Sequence, residues 1–318
     1  RLAYSRRREL IDGVRELISG AGRIAMEYVP QGALPLSSRV DAGTLEMIRG
    51  FGVEVVSSAD LVQDATARWT SSQLSSHRAA ADSLTRIVRE GFQHVGDRLR
   101  AGTPLDELDL TRFLRVRMEE EHLDAQDGPI VAVGAHAADP HYEPTDGTAA
   151  PIRHGDWLLI DIWARRRSED AAYADITWTA SVGAEPPEHV RSVFETVLRA
   201  RDAAVAALME AHRDGQTMLG HEADAVARSV IDDAGFGEAF THRLGHSIGK
   251  EVHGNGANLD GFETHDVRRL IQGTGFSVEP GVYLTGEFGV RSEINVFLGP
   301  EGPEVTTPQQ TGVVVISV

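Results

Sequence analysis

The chain contains no cysteine among its 318 residues. This excludes disulfide bonds, thiolate metal sites and cysteine nucleophiles, and it fits a reducing cytoplasm. No apolar run approaches the roughly 20 residues that a membrane-spanning helix needs, and the basic N-terminal segment lacks the apolar core of a signal peptide. We therefore expect a soluble, cytoplasmic protein. The first residue is not Met, which fits a numbered chain that begins inside a longer gene product.

Positive charge is also scarce, and the formal net charge is −17 at pH 7. Nucleic acids and anionic membranes both require a basic face on the protein that binds them, so neither is expected as a partner. Apolar residues make up 41% and charged residues 25% of the chain, which is ordinary for a folded globular protein. The length allows one large domain and one small domain.

The first part of the chain has the pattern of a small α/β domain. Strand-like segments at residues 23–30 and 53–58 flank a helical segment, and this order is typical of a parallel crossover unit. The polar sequence TSSQLSS at residues 70–76 is the best candidate for a boundary. The predicted domains are therefore residues 1–70 and residues 71–318.

The second part of the chain repeats a pattern of two helices followed by strands. The helices are predicted at residues 79–99 and 105–122, and again at residues 188–212 and 218–234. The two helix junctions, AGTPLDELD and DGQTMLGHE, are alike in shape. This repetition indicates an internal duplication with pseudo-two-fold symmetry, in which a site would draw residues from both halves.

Four acidic residues and one histidine lie on short apolar segments. They occur in WLLIDIWA, YADITWTA, HRLGHSIG, FSVEPGVYL and GVRSEINVFL, and they are Asp161, Asp175, His246, Glu279 and Glu293. Four carboxylates on apolar strands are costly to bury unless cations neutralise them. This imbalance is the main functional signal in the sequence.

Strand alternation predicts that several of these carboxylates can meet. In YADITWTA, Asp175 lies on the face opposite Ile176. A hairpin with the tip ARRRSED would bring Asp161, at the end of its strand, close to Asp175. The segment GVRSEINVF is predicted as one strand, with Arg291 and Glu293 on its polar face.

Carboxylate oxygens and one imidazole form a hard donor set, which suits Mn²⁺, Fe²⁺, Co²⁺ or Zn²⁺. Four carboxylates carry four negative charges, and two divalent ions carry four positive charges. A hydroxide that bridges two ions, available near neutral pH because metal lowers the pKa of water, would then supply the nucleophile. Charge balance therefore favours two metal ions over one.

The segments SVEPGVY and VRSEINV, with the lead-in RRLIQGTGF, resemble the pita-bread metallopeptidases. This family includes aminopeptidase P, prolidase, methionine aminopeptidase and the metal-free creatinase. The resemblance covers about residues 75–318, and residues 1–70 resemble the end of the family's N-terminal creatinase-type domain. It implies an α+β pita-bread catalytic domain preceded by a small, partial α/β domain.

The resemblance also implies a ligand set and an order of roles. Two divalent ions, with Mn²⁺ expected first, would be held in the family's order by Asp161, Asp175, His246, Glu279 and Glu293. Asp175 and Glu293 would bridge both ions, while Asp161 would bind one ion, and His246 and Glu279 the other.

Further residues match family positions that contact substrate or orient ligands. The histidines would hold the scissile carbonyl, stabilise the tetrahedral intermediate or transfer protons, and they are His141, His242 and His253. Glu279 would also act as general base. Tyr283 and Arg291 would orient the carboxylates.

Three features depart from the family pattern. Trp163 stands where glycine usually follows the first aspartate by two positions, and Trp178 stands where arginine usually follows the second aspartate by three. Asp161 and Asp175 are 14 positions apart (residues 161 and 175), which is longer than usual. The ligands are intact, so these departures concern the shape of the substrate pocket.

The resemblance implies a homodimeric Xaa-Pro aminopeptidase that acts on peptides with proline at the second position. Prolidase is the alternative, since the two activities share one metal core and differ in the peptide length they accept. Methionine aminopeptidase is disfavoured because that branch lacks the N-terminal α/β domain. A non-catalytic peptide-binding module, or a metal-free creatinase-like hydrolase, would be expected to have replaced ligands.

Overall fold

In the computed structural model, which describes residues 2–318, the segment that ends at Val62 is a separate unit built on a parallel strand pair. Strand β1 (Arg23–Met26) pairs with β2 (Glu54–Ser57), and helix α2 (Ala42–Arg49) lies between them in sequence. The predicted strand–helix–strand order is therefore confirmed. Helix α1 (Arg7–Leu17), which precedes β1, was not predicted and has no buried residue.

The second unit begins at Gln63, within helix α3 (Ala59–Thr66), rather than near residue 70. The side chain of Gln63 donates to the carbonyl of Arg269 at 2.8 Å and accepts from the amide of Ala257 at 2.7 Å. These bonds attach the end of α3 to the larger unit.

The polar stretch at residues 70–76 begins a helix and is not a linker. Thr70 Oγ1 accepts from the amide of Gln73 at 3.2 Å, and Gln73 Oε1 accepts from the amide of Thr70 at 2.8 Å. This reciprocal pair is a capping box, and it starts the helix eight residues earlier than its apolar pattern predicts. Helix caps and linkers use the same polar residues, so composition alone did not separate them.

The larger unit contains two sets of paired helices, each followed by strands. The first set comprises α4 (Ser71–Arg100), α5 (Glu107–Glu120), β3 (Leu123–Asp124), β4 (Ile130–Val133), β5 (Trp157–Arg166) and β6 (Ala174–Val182). The second set comprises α6 (Glu188–Arg213), α7 (Gly220–Asp233), β7 (Ser247–Ile248), β8 (Gly275–Val278), β9 (Gly281–Leu284), β10 (Phe288–Arg291), β11 (Ile294–Gly299), β12 (Gly302–Val305) and β13 (Val314–Ile316). Short 3₁₀ turns occur at Pro30–Gly32, Pro35–Ser37, Gly134–Ala138 and Gly237–Ala239.

Each pair of helices packs on its own sheet. Helices α4 and α5 cover the sheet β13-β6-β5-β3, to which β4 is added through β5, and their apolar side chains form one core. Helices α6 and α7 pack against a second core that includes side chains of the sheet β12-β11-β8-β7. The predicted duplication is therefore present in the fold. No helix within residues 2–318 is both long enough and apolar enough to span a bilayer.

The hairpin of β5 and β6 places the two aspartates on one face of the sheet. Its register pairs Asp161 with Thr177 and Trp163 with Asp175. The aspartates are thus two residues out of register, on neighbouring strands with the same orientation. Contrary to prediction, Asp161 lies in the middle of its strand, because β5 continues through two of the arginines expected in the tip.

The segment GVRSEINVF is not the single strand that was predicted. Strand β10 pairs with β9, whereas β11 pairs with β8 and β12. Glu293 lies at the break between β10 and β11, and its amide donates to the carbonyl of Thr177 at 3.2 Å. The break therefore directs Glu293 towards β6 and its aspartate.

His77, near the start of α4, is a buried histidine whose two ring nitrogens are both engaged. Its Nδ1 donates to the carbonyl of Tyr173 at 2.6 Å, and its Nε2 accepts from the hydroxyl of Thr306 at 2.7 Å. Burial lowers the pKa of His77 to about 4. The neutral ring joins α4 to the start of β6 and to the loop after β12.

The buried neutral state of His77 predicts a loss of stability in acid. Its ordinary pKa is 6.5, so between pH 6.5 and pH 4 the unfolded chain binds a proton that the folded chain does not. Stability therefore falls as the pH falls, by about 2–3 kcal/mol from this group between pH 7.5 and 4.5. In urea denaturation at pH 7.5 and pH 4.5, we expect H77Q to lose this pH-dependent part of the free energy of unfolding. The exposed-site variant H212Q should keep the wild-type pH response, and equal responses of H77Q and wild type would contradict the assignment.

Candidate active site

A cavity of about 510 Å³ opens in the larger unit, and residues from both halves line it. All five predicted metal ligands are among its lining residues: Asp161, Asp175, His246, Glu279 and Glu293. The predicted convergence of these side chains is therefore observed. The first two come from the β5–β6 hairpin, and the others follow from the loops and strands around β7, β8 and β11.

Asp175, His246 and Glu293 form the tightest group. One possible ligand atom from each lies within 4.8 Å of the other two, and all three residues are buried. His246 Nδ1 donates to the carbonyl of Ser247 at 3.2 Å, which leaves Nε2 to face the acids, 3.5 Å from Asp175 Oδ2 and 3.4 Å from Glu279 Oε1. A backbone bond of this kind fixes the ring orientation of a metal-binding histidine.

Two carboxylate oxygens in this group fit a cation. Asp175 Oδ1 and Glu293 Oε1 are buried and have no hydrogen-bond partner among residues 2–318. Burying even a neutral amide or hydroxyl without a hydrogen bond costs roughly 2–7 kcal/mol, and a buried carboxylate without a compensating positive charge is more costly still. The chemistry of the donor set, oxygens with one imidazole, suits a divalent ion of the Mn²⁺ to Zn²⁺ series. The residues present therefore fit the metal that their arrangement implies.

The pKa values in this group reflect burial and mutual repulsion. Burial raises the pKa of Asp175 to about 7, although contact with His246 acts in the opposite direction. Burial and the neighbouring charges of Asp175 and Glu279 raise the pKa of Glu293 well above its usual range. Burial acts to lower the pKa of His246, but its acidic neighbours outweigh this and raise it. The acidic neighbours of His246 thus favour a positive charge at this position, as they would favour a bound cation.

Arg291 joins Asp161 to the rest of the site. Its Nη2 donates to Asp161 Oδ2 at 2.5 Å, its Nε donates to Thr177 Oγ1 at 3.0 Å, and its Nη1 donates to Tyr283 Oη at 3.2 Å. The hydroxyl of Thr177 also lies 2.9 Å from Glu293 Oε2. Arg291 thus contacts a carboxylate directly, whereas Tyr283 contacts Arg291, and the orienting roles of both residues stay predictions.

The buried guanidinium of Arg291 changes the charge count from which two metal ions were predicted. Four carboxylates carry −4 and Arg291 carries +1, so the net charge of the group is −3. One divalent ion would leave −1 and two would leave +1. Charge balance therefore requires at least one cation but does not by itself select two.

The three predicted histidines also line the cavity. His253 meets His246 edge to face, with ring centroids 4.4 Å apart, and His141 is exposed. His242 is buried; its Nδ1 donates to the carbonyl of Arg243 at 2.6 Å and its Nε2 accepts from Tyr283 Oη at 2.8 Å. Burial lowers the pKa of His242 to about 4. Its ring nitrogens are thus engaged by protein groups, whereas His141 and His253 are more accessible.

The two unusual tryptophans lie on opposite sides of the sheet. Trp163 lines the cavity. Trp178 is buried in the core under α4, where the guanidinium of Arg89 lies 5.3 Å from its ring centroid. Only Trp163 can therefore affect the pocket directly.

Sequence reasoning missed Glu107, a fully buried carboxylate at the start of α5. It accepts hydrogen bonds from the amides of Val133 at 2.8 Å and Ala150 at 2.7 Å. The hydroxyl of Tyr142 donates to it at 2.6 Å, and His136 Nδ1 lies 3.0 Å away. These bonds hold the segment HYEP, which carries a cavity histidine, against the first half of the fold. Glu107 lies in the acidic start of helix α5, and this sequence gave no signal that the residue is buried.

Glu107 is expected to be important for stability. The substitution E107Q should lower the free energy of unfolding by about 3 kcal/mol, because the amide keeps only one acceptor oxygen and turns its NH2 group towards the remaining buried donors. The matched control is E119Q on the same helix, where the carboxylate is exposed and only a small loss is expected, since exposed ion pairs contribute little to stability. Chemical denaturation of both variants gives the comparison, and similar losses would contradict the structural assignment.

Comparison with known proteins gives a family match and similar structures. The family described as metallopeptidase family M24 matches residues 79–300. The chain is 32% identical over 224 residues to the Xaa-Pro dipeptidase of Lactobacillus delbrueckii subsp. lactis, with 70% of this chain and 55% of that protein aligned. It therefore spans about half the length of the curated relatives it matches.

Two solved structures are similar over nearly all of this chain. The X-Pro aminopeptidase from Thermotoga maritima has a TM-score of 0.69 at 27% identity, covering 96% of this chain and 80% of that one. The dipeptidase PepE from Mycobacterium ulcerans has a TM-score of 0.70 at 26% identity, covering 97% of this chain and 75% of that one.

Proposed function

The chain belongs to metallopeptidase family M24 and has its pita-bread fold, and from this premise we propose that it is an Xaa-Pro aminopeptidase. It would hydrolyse the bond before proline in peptides with proline at the second position. The observation that carries the proposal is the convergence of four carboxylates and one imidazole on one cavity, with two carboxylate oxygens left without donors. The names of the similar proteins, Xaa-Pro dipeptidase and X-Pro aminopeptidase, support the substrate class.

The proposed cofactor is a pair of divalent ions, with Mn²⁺ first and Co²⁺, Fe²⁺ or Zn²⁺ as alternatives. Their ligands would be Asp161, Asp175, His246, Glu279 and Glu293. When bound, such ions polarise a carbonyl and lower the pKa of water towards neutrality. The five residues offer nine oxygen and nitrogen atoms, two from each carboxylate and one from the imidazole, which supports sharing between two ions.

The remaining catalytic roles are assigned to individual side chains of the cavity. Glu279 is proposed as general base, because its side chain is 14% exposed compared with 7% for Asp175, and Ser277 orients it by donating to Oε1 at 2.8 Å. His141 and His253 are proposed to hold the scissile carbonyl and to transfer protons. His242 is proposed to act through Tyr283, to which it is hydrogen-bonded.

The alternative activity is that of an Xaa-Pro dipeptidase, which the name of one relative favours. The test compares hydrolysis of Ala-Pro and Ala-Pro-Ala by Mn²⁺-loaded protein, with and without a chelator. Metal-dependent cleavage of the tripeptide supports the aminopeptidase, and cleavage of Ala-Pro alone supports the dipeptidase. Binding of both peptides without cleavage would indicate a non-catalytic peptide-binding module.

We also propose that the protein acts as a homodimer in the cytoplasm, as the sequence resemblance implies. Light scattering coupled to size-exclusion chromatography tests the oligomeric state, and the expected mass is twice that of one chain. Fractionation of the producing cell tests the second.

A further inference from the structure

Trp163 lies beside the two aspartates at the base of the cavity. It shares the cavity face of β5 with Asp161, two residues away, and its Cα is paired with that of Asp175 on β6. The side chain is only partly buried and borders the cavity. A large aromatic ring thus stands next to two of the proposed metal ligands.

The indole ring is held in place from two sides. A Cβ at Gly128 would lie 2.6 Å from Trp163 Cη2 and 2.7 Å from Cζ2, so the backbone at Gly128 lies directly against the ring. Gly128 also has a φ of +72°, where other residues are strained. Trp163 also packs against an apolar cluster that includes Tyr173 and Ile248, as does Val252. Its position is therefore fixed by packing.

Trp163 is the largest apolar group on a mainly polar cavity wall. Most of the lining residues are acidic, basic or histidine, and the apolar ones are Ile130, Pro140, Trp163 and Val252. Burial of an apolar side chain is favourable in proportion to the area it removes from water. An apolar substrate side chain that enters this cavity therefore has the indole as its main available contact.

Resting on the proposed function, we propose that Trp163 contacts the side chain of the substrate's N-terminal residue and limits its size. The scissile carbonyl of an Xaa-Pro peptide belongs to its N-terminal residue, and for hydrolysis it must lie at the proposed metal ligands. The side chain on that residue's Cα therefore lies close to Asp161 and Asp175, whose immediate neighbour is Trp163. The substrate class is that of Xaa-Pro peptides in which Xaa is small and apolar.

The test measures kcat/KM for Ala-Pro and Phe-Pro, or for the corresponding tripeptides, in wild type and variants. Wild type should prefer alanine, and W163A should raise the Phe-Pro to Ala-Pro ratio about 10-fold or more, in the range that a change of pocket volume gives. W163F, which keeps a smaller ring, should give an intermediate ratio and guards against a folding defect in W163A. The matched control is W178F, on the adjacent strand but in the core, which should keep the wild-type ratio.

Binding provides a readout that does not depend on turnover. Fluorescence titration of metal-free protein with Ala-Pro and Phe-Pro should give a signal change that W163F loses and W178F keeps. Ratios that are the same in wild type and both Trp163 variants, or a signal kept by W163F, would overturn this inference while leaving the peptidase intact. Wild-type protein that hydrolyses no Xaa-Pro peptide would instead overturn the proposed function, and the fluorescence result would still decide the role of Trp163.

Discussion

Replacing Asp175 in D175N is expected to lower kcat/KM for an Xaa-Pro peptide by more than about 100-fold. Substituting a residue that only supports a metal ligand typically lowers affinity or activity 10–100-fold, so losing a direct ligand should have at least this effect. Asp175 contacts His246, its Oδ1 has no donor among residues 2–318, and it belongs to the tightest group of possible ligand atoms. Removing the charge of Asp175 therefore weakens the proposed metal site where the possible ligand atoms are closest together.

The matched control for this substitution is D170N. Asp170 lies in the same β5–β6 connection, but its side chain is exposed and pairs with Lys250. This variant should retain nearly full activity, since an exposed ion pair contributes little to stability. A D175N protein with more than half the wild-type kcat/KM would show that the cluster is not the catalytic centre.

Removing divalent ions is expected to lower the melting temperature by about 4–5 °C. A ligand present at 100 times its dissociation constant stabilises the folded state by about 2.7 kcal/mol, and in a chain of this size each kcal/mol shifts the melting temperature by about 1.5–2 °C. The physical cause is the repulsion among buried carboxylates. Burial and the same neighbouring charges also raise the pKa values of Asp175 and Glu293.

The double variant D175N/E293Q separates this effect from non-specific metal binding. It should show no change in melting temperature when a chelator is added. In the chelator it should melt at a higher temperature than wild type, because two of the buried acids whose mutual repulsion destabilises the metal-free site have been removed. Equal shifts in wild type and the double variant would mean that the stabilising ions bind elsewhere.

The convergence of the five proposed ligands was predictable because strand geometry is regular. Two apolar strands joined by a short polar tip almost always pair, and side-chain alternation then fixes which residues share a face. For that reason Asp161 and Asp175 were correctly expected together, although β5 runs further than predicted.

Other features depended on long-range contacts that no local pattern reveals. The break that directs Glu293 to β6 results from β10 and β11 pairing in different sheets. The burial of Glu107 depends on donors that lie 26 to 43 positions away in sequence. Arg291 was expected as an orienting residue, but its effect on the charge count became clear only when its contact with Asp161 was known.

The most direct test of the account is the metal content of the intact chain at equilibrium with Mn²⁺. Elemental analysis after dialysis should give two ions per chain for wild type and a clear loss for D175N/E293Q. Saturation at one ion, lost in the double variant, would keep the site and reject the pair. Retention of no ion by wild type, or equal retention by both proteins, would contradict the claim that divalent cations neutralise these carboxylates.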